Sequence, residues 1–91
     1  MFKIIYMVAD FEPWWLFDGW ESSIISTEEY QSEEELHNAL EAKLNDFRKK
    51  YQHEASKEKR FFAFWNDDEV EFCEACDEDS QIYHGIIVET L

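Results

Sequence analysis

Residues 32–51 read SEEELHNALEAKLNDFRKKY, and this stretch decides the fold. Ser32 is a natural N-cap, and Glu35 three positions later completes a capping box, so that side chains satisfy backbone N–H groups that a helix leaves open at its start. Glu33, Glu34 and Glu35 lie at the end where the helix dipole favours negative charge, and Arg48, Lys49 and Lys50 lie at the end where it favours positive charge. Leu36, Leu40, Leu44, Phe47 and Tyr51 recur every three or four residues, with Ala39 on the same face. That period gives one apolar stripe. The pattern predicts a helix over about 33–51 with its stripe packed on a sheet.

The flanking sequence supplies the sheet. Phe2 to Ala9 is a continuous β-prone run and reads as a central strand buried on both faces. Ser23 to Tyr30, with Ile24, Ile25 and Thr27, reads as a second strand. Residues 52–60 carry charge without an apolar period and read as a solvated loop. Phe61 to Trp65 is an aromatic strand, Asn66 to Glu69 a hairpin turn by composition, and Val70 to Cys73 its partner strand. Asp77 to Ser80 reads as another turn. Gln81 to Glu89 closes the sheet, with Ile82, His84 and Ile86 on one face and Gly85 marking a bulge or a close approach. The expected fold is α+β: an antiparallel sheet of about five strands in the order β-β-α-β-β-β. One long helix lies on one face, and a Trp-rich loop or short helix joins the first two strands.

Bulk composition bounds the rest. Ninety-one residues allow a single domain, 1–91, with no room for a second core. A chain with net charge −14 that was disordered would be poor in rings, yet 18% of this one is aromatic, so it folds. The same charge excludes a plain electrostatic nucleic-acid binder and opposes docking on an anionic membrane face. No stretch reaches the roughly 18 apolar residues of a membrane span, and residues 1–8 lack the basic region of a signal peptide. Two cysteines are too few for a disulfide framework, which leaves the cytoplasm as the expected location.

Four features could carry chemistry. Phe11, Trp14, Trp15, Phe17 and Trp20 crowd ten residues beside Glu12 and Asp18. They form either a lid on a small core or a contact surface, and in the second case Trp14 or Trp15 is exposed because chain neighbours rarely both point inward. Cys73-Glu74-Ala75-Cys76 is a lone C-x-x-C. Zinc would need further ligands, from His37, His53, His84 or a second copy, and the surrounding carboxylates disfavour a reactive thiolate. Acid clusters such as Asp67-Asp68-Glu69 fit turns and a solvated face better than a calcium loop. Charge is segregated: seven of the eight basic residues fall between Lys43 and Arg60, and nine acids with no base follow. Such a surface could steer a protein contact or imitate the phosphate rows of DNA.

Signatures of catalysis are weak. There is no glycine-rich phosphate loop, nucleophile elbow or His-Glu-x-x-His. His84, beside Tyr83, is the one candidate general base, and a satisfied core or edge histidine accounts for it better.

The stretch Asp10-Phe11-Glu12-Pro13-Trp14-Trp15-Leu16-Phe17-Asp18-Gly19-Trp20, with Phe61-Phe62-Ala63-Phe64-Trp65, the C-x-x-C and Gln81-Ile82-Tyr83-His84-Gly85, resembles the domain of unknown function 1033 family. The likeness covers nearly the whole chain. It implies a stand-alone cytoplasmic domain of Gram-positive bacteria, and since that family has no established activity no catalytic residue is carried over. The expected function is a non-catalytic protein-interaction or regulatory module, a monomer or weak homodimer, using Phe11, Glu12, Trp14, Trp15, Trp20 and His84 against a basic protein surface. The alternatives are a zinc protein through Cys73 and Cys76, a nucleic-acid mimic that occupies a basic protein, and a small-ligand binder with an aromatic pocket walled by His84.

Overall fold

The computed structural model describes residues 1–16, 18–73 and 78–90, with the side chains of 71–73 and 78–80 outside the description. Its centre is a five-stranded antiparallel sheet. The strands are β1 (Phe2–Ala9), β2 (Ile24–Tyr30), β3 (His53–Lys57), β4 (Phe61–Trp65) and β7 (Tyr83–Thr90), in the spatial order β2-β1-β7-β4-β3. A separate ribbon pairs β5 (Val70–Cys73) with β6 (Glu78–Gln81). The helix α1 (Glu33–Lys50) and a 3-10 turn (Trp20–Ser23) complete the fold.

The helix begins as its sequence dictates. Ser32 Oγ accepts from the Glu35 N–H at 3.2 Å, and Glu35 Oε2 accepts from the Gln31 N–H at 3.4 Å. Leu36 and Leu44 are buried against Ile4, Phe64 and Ile86, with Leu40, Phe47 and Tyr51 packed around them. β1 lies between β2 and β7, so alternate residues enter different cores. Ile4 faces the helix, while Ile5 and Met7 join Phe61 and Ile87 on the far side. Both faces of this strand are buried, and its continuous apolar run follows from that.

Two finer expectations are corrected. Residues 53–57 are an edge strand paired with β4, not a solvated loop. Its backbone bonds to one neighbour only, so its side chains can stay polar, and charge on an edge is how sheets avoid pairing with other chains. The turn that follows has Glu58 and Lys59 at φ of 56° and 58°. This left-handed pair is usually Asn-Gly in a two-residue hairpin, so the composition hid the turn. The second correction concerns β5. It leaves the sheet to pair with β6, a segment read as a turn, and β4 pairs instead with β3 and β7. The expected three-strand meander is therefore β3, β4 and β7, with the ribbon inserted between its last two members.

Candidate functional site

The segment from Asp10 to Ser23 crosses the sheet face opposite the helix. Pro13, under 2% exposed, lies on β7 at Gly85. A Cβ on Gly85 would come within 2.9 Å of both Met7 Cγ and Pro13 Cβ, so the glycine is there to let this strap approach. Phe11, Trp14 and Trp20 pack, partly buried, on Ile5, Met7, Phe61 and Ile87. The strap thus serves as the second layer of the domain.

Trp15 points the other way and is 54% exposed. Glu12 fixes it at two points: its carbonyl accepts from the Trp15 N–H at 3.2 Å, and its Oε2 accepts from the indole N–H at 2.6 Å. Lys57 Nζ stands 6.0 Å from the ring centroid. The Tyr83 hydroxyl, raised above its usual value mainly by burial, also meets the Glu12 carboxylate through charge and a hydrogen bond. Tyr83 then packs edge-on to Trp65, which stacks on His53 at 5.3 Å, and His53 Nε2 meets Asp67 at 2.8 Å. Next to Trp15, Leu16 is 38% exposed with φ of 43°. A leucine in the left-handed region costs roughly 1–2 kcal/mol, so the local backbone is strained where it presents two apolar side chains to water.

His84 does not join this surface. Gly85 faces the strap, so its neighbour His84 points to the helix side, where it stacks on Tyr51 with ring centroids 4.5 Å apart. An aromatic pocket formed by Trp14 or Trp15 with His84 at its wall is therefore not assembled, because the sheet separates them. His84 Nε2 lies 2.7 Å from Glu69 Oε1, and Nδ1 lies 2.8 Å from the Tyr6 hydroxyl. A carboxylate can only accept, so Nε2–H donates to Glu69 and Nδ1 accepts from Tyr6 in the neutral ring. A hydrogen bond between Tyr6 and Tyr51 extends the chain. Burial raises the Tyr6 hydroxyl, and burial, with the Tyr6 and Glu69 charges adding, pushes Tyr51 up to about 12. Both ring nitrogens are thus committed. His84 ties the base of the β5–β6 ribbon to the central strands, and Gln81 Nε2 helps by donating to the carbonyls of Asn66 and Glu69 at 2.8 Å.

Sequence reading missed Tyr6, Tyr51, Glu69 and Gln81. They come from a strand, a helix cap, a turn and a ribbon, and only the register that sets Val8 beside His84 brings them together. For the zinc expectation, Cys76 and the side chain of Cys73 lie outside the described residues, as does Phe17 of the strap. The histidines are engaged elsewhere: His37 with Glu33, His53 with Asp67 and His84 with Glu69. Among the described residues, no cluster of three His, Cys, Asp or Glu is placed to hold a metal ion. No helix among them is long and apolar enough to cross a membrane.

These features define a class: a helix-backed antiparallel sheet whose second face is closed by a tryptophan strap. The model of the DUF1033 family, described as a protein of unknown function, matches residues 1–90, and the chain belongs to that family. Comparison with curated proteins and with solved structures finds no match.

Proposed function

We propose that this protein is a non-catalytic interaction module that docks on a basic protein surface through Trp15 and Leu16. The observation that carries the reading is Trp15 itself, more than half exposed while Glu12 holds its indole and its backbone in one orientation. An indole fixed before binding loses little freedom on contact, which is how aromatic anchors contribute most of an interface's energy. Leu16 extends the apolar tip. The charge of the partner follows from the surroundings. Between Lys3 and Lys43 the chain has ten acids and no lysine or arginine, and Asp10, Glu12, Asp18 and Glu21 of these lie in the strap. A basic partner gains from that field, whereas nucleic acid and anionic membrane are repelled by it. The setting that fits is the cytoplasm, with the protein a monomer or weak homodimer. The commitment of both His84 nitrogens supports a structural role for that residue over a general base.

The test compares wild type and Trp15→Ser as bait in lysate at low and high salt. The expected result is one basic protein retained by wild type at low salt, and lost both at high salt and with Trp15→Ser. Retention by both baits alike would overturn the reading.

A further inference from the structure

The strap face carries a second feature that docking through Trp15 and Leu16 does not use. Gly85 faces the strap, and alternation along β7 puts Tyr83 on the same side. Ala63 pairs with Gly85, which puts Trp65 there too, and Trp65 pairs with His53. One ring from each of β7, β4 and β3 thus forms a row across the strands. The rings touch in order: Tyr83 lies edge-on to Trp65, and His53 stacks on it, each at 5.3 Å between centroids. All three are half-buried. The neighbouring row of Gly85, Ala63 and Ala55 has no side chain larger than a methyl, so the rings stand up as a ridge.

The polar groups of the ridge are unequally engaged. At one end the Tyr83 hydroxyl meets the Glu12 carboxylate, and at the other His53 Nε2 meets Asp67. Between them, the Trp65 indole N–H donates to no group among the described residues, and since none of their buried side-chain nitrogens lacks a partner, this donor reaches water. Acid prevails around the rings. Glu12 and Asp67 flank them, with Asp67 76% exposed and Asp68 exposed beside it in the turn. The cations there are Lys57, whose ammonium leans over the Trp15 ring, and His53 when protonated, which Asp67 already holds.

A ridge of rings suits a rigid apolar ligand, an open indole N–H suits a carbonyl, and flanking carboxylates suit cations. A polyproline II segment offers the first two together: it is stiff before binding, and its backbone carbonyls have no internal partner. One turn of that helix rises roughly 9 Å, and the two ring steps reach about 10 Å.

We propose that the ridge of Tyr83, Trp65 and His53 binds a proline-rich segment of the basic partner. Prolines lie across the rings, the Trp65 N–H donates to a backbone carbonyl, and arginine or lysine side chains flank the prolines at Glu12 and Asp67. This rests on the reading of the strap as a docking surface for a basic protein, and names the form in which that protein is met.

Peptide binding by the full chain decides it, followed by fluorescence anisotropy and by the indole N–H signals in NMR. The probe is a labelled run of prolines with arginine at both ends. One control replaces the prolines with alternating glycine and serine, and another replaces the arginines with glutamate. The probe should bind saturably and shift the Trp65 indole signal, leaving that of Trp14 in place. Both controls should bind at least about tenfold more weakly. Trp65→Phe keeps a ring and removes the N–H, and should weaken the probe roughly three- to tenfold. Absence of saturable binding, equal binding of either control, an unmoved Trp65 signal or unchanged affinity in folded Trp65→Phe would each overturn the proposal. If the probe fails while lysate still yields a basic protein that Trp15→Ser loses, only this inference falls; if that protein is missing as well, the reading of the strap falls with it.

Discussion

The two faces of the central sheet are closed by different means. The helix face is covered by a regular element whose caps, charges and period all agree, and its polar groups form a continuous hydrogen-bonded chain from Glu69 through His84 and Tyr6 to Tyr51. The strap face is covered by irregular backbone whose described residues include a buried proline, three partly buried rings and one indole turned outward. Regular secondary structure satisfies its own backbone and hides its apolar side. A strap of loop must be pinned at points, here Pro13 on Gly85 and Glu12 on Tyr83, and between those points it can present side chains to water. The first face therefore stabilises the molecule, and the second is able to do that and also display a surface.

The comparison breaks first at the core. Phe64 is fully buried beneath the helix and meets Phe47 edge-on at 5.2 Å. Phe64→Ala should cost about 3–5 kcal/mol, which approaches the whole stability expected of so small a domain. Urea unfolding should give a midpoint near zero denaturant or a chain already unfolded. A loss below about 1 kcal/mol would show that the helix face is not the main source of stability.

Next comes the strap's anchor. Gly85→Ala drives a Cβ into Met7 and Pro13 at 2.9 Å. Pro13 has a fixed ring and Met7 is buried, so neither yields easily; the cost should be about 1–3 kcal/mol. Because the clash lies on the strap side, Trp fluorescence should become more accessible to quencher, while the aromatic shifts of Phe47 and Tyr51 stay put. Perturbation of the helix side instead would mean that the faces are not separately closed.

Alkaline pH probes the helix face alone. Tyr51 is raised from 10.0 to about 12, chiefly by burial. A hydroxyl raised in the folded state keeps its proton there after the unfolded chain has begun to lose it. Its contribution is complete below about 10 and is lost as pH rises toward about 12. The urea midpoint should therefore fall across that window, and fall less steeply in Tyr51→Phe. Tyr30, also raised to about 12 but by its hydrogen bond to Glu28, lies outside the His84 chain, and Tyr30→Phe gives the slope of an independent site. Identical slopes in wild type and Tyr51→Phe would show that Tyr51 ionises freely and the chain is open to water.

How far the sequence anticipates this molecule depends on the kind of signal each part leaves. The helix was readable from Ser32 and the Leu36–Tyr51 stripe, because capping and period are local. The buried strand Phe2–Ala9 was readable for the same reason, and Gly85 was readable as either a bulge or a close approach, of which the structure has the second. β3 was not, since an edge strand has no apolar alternation to show, and the Glu58–Lys59 turn lacks the usual glycine. The ribbon was misread because Val70–Cys73 looks the same whether its partner is β4 or β6. Of the expected site, the exposure of one of the paired tryptophans followed from geometry along the chain. The separation of His84 from them depends on which side of the sheet each faces, and no single segment records that.

The smallest expected effect bears most directly on function. Trp14 and Trp15 are neighbours of one chemical type on one strap, but only Trp14 packs on the Ile5–Met7–Phe61–Ile87 cluster. Trp14→Ala should cost on the order of 2–4 kcal/mol by removing a ring from that layer. Trp15→Ala removes a ring whose face is mostly in water, together with its hydrogen bond to Glu12, which leaves the carboxylate solvated instead of stranded. Its cost should stay within about 0.5 kcal/mol, the usual bound for surface positions. Paired urea titrations measure both. If Trp15→Ala destabilises as much as Trp14→Ala, the exposed indole is holding the strap down, and it has no surplus area to offer a partner. If the two differ as expected, the domain keeps a large, rigidly held aromatic side chain at a place where folding does not require it, and recognition is the remaining physical reason for its position.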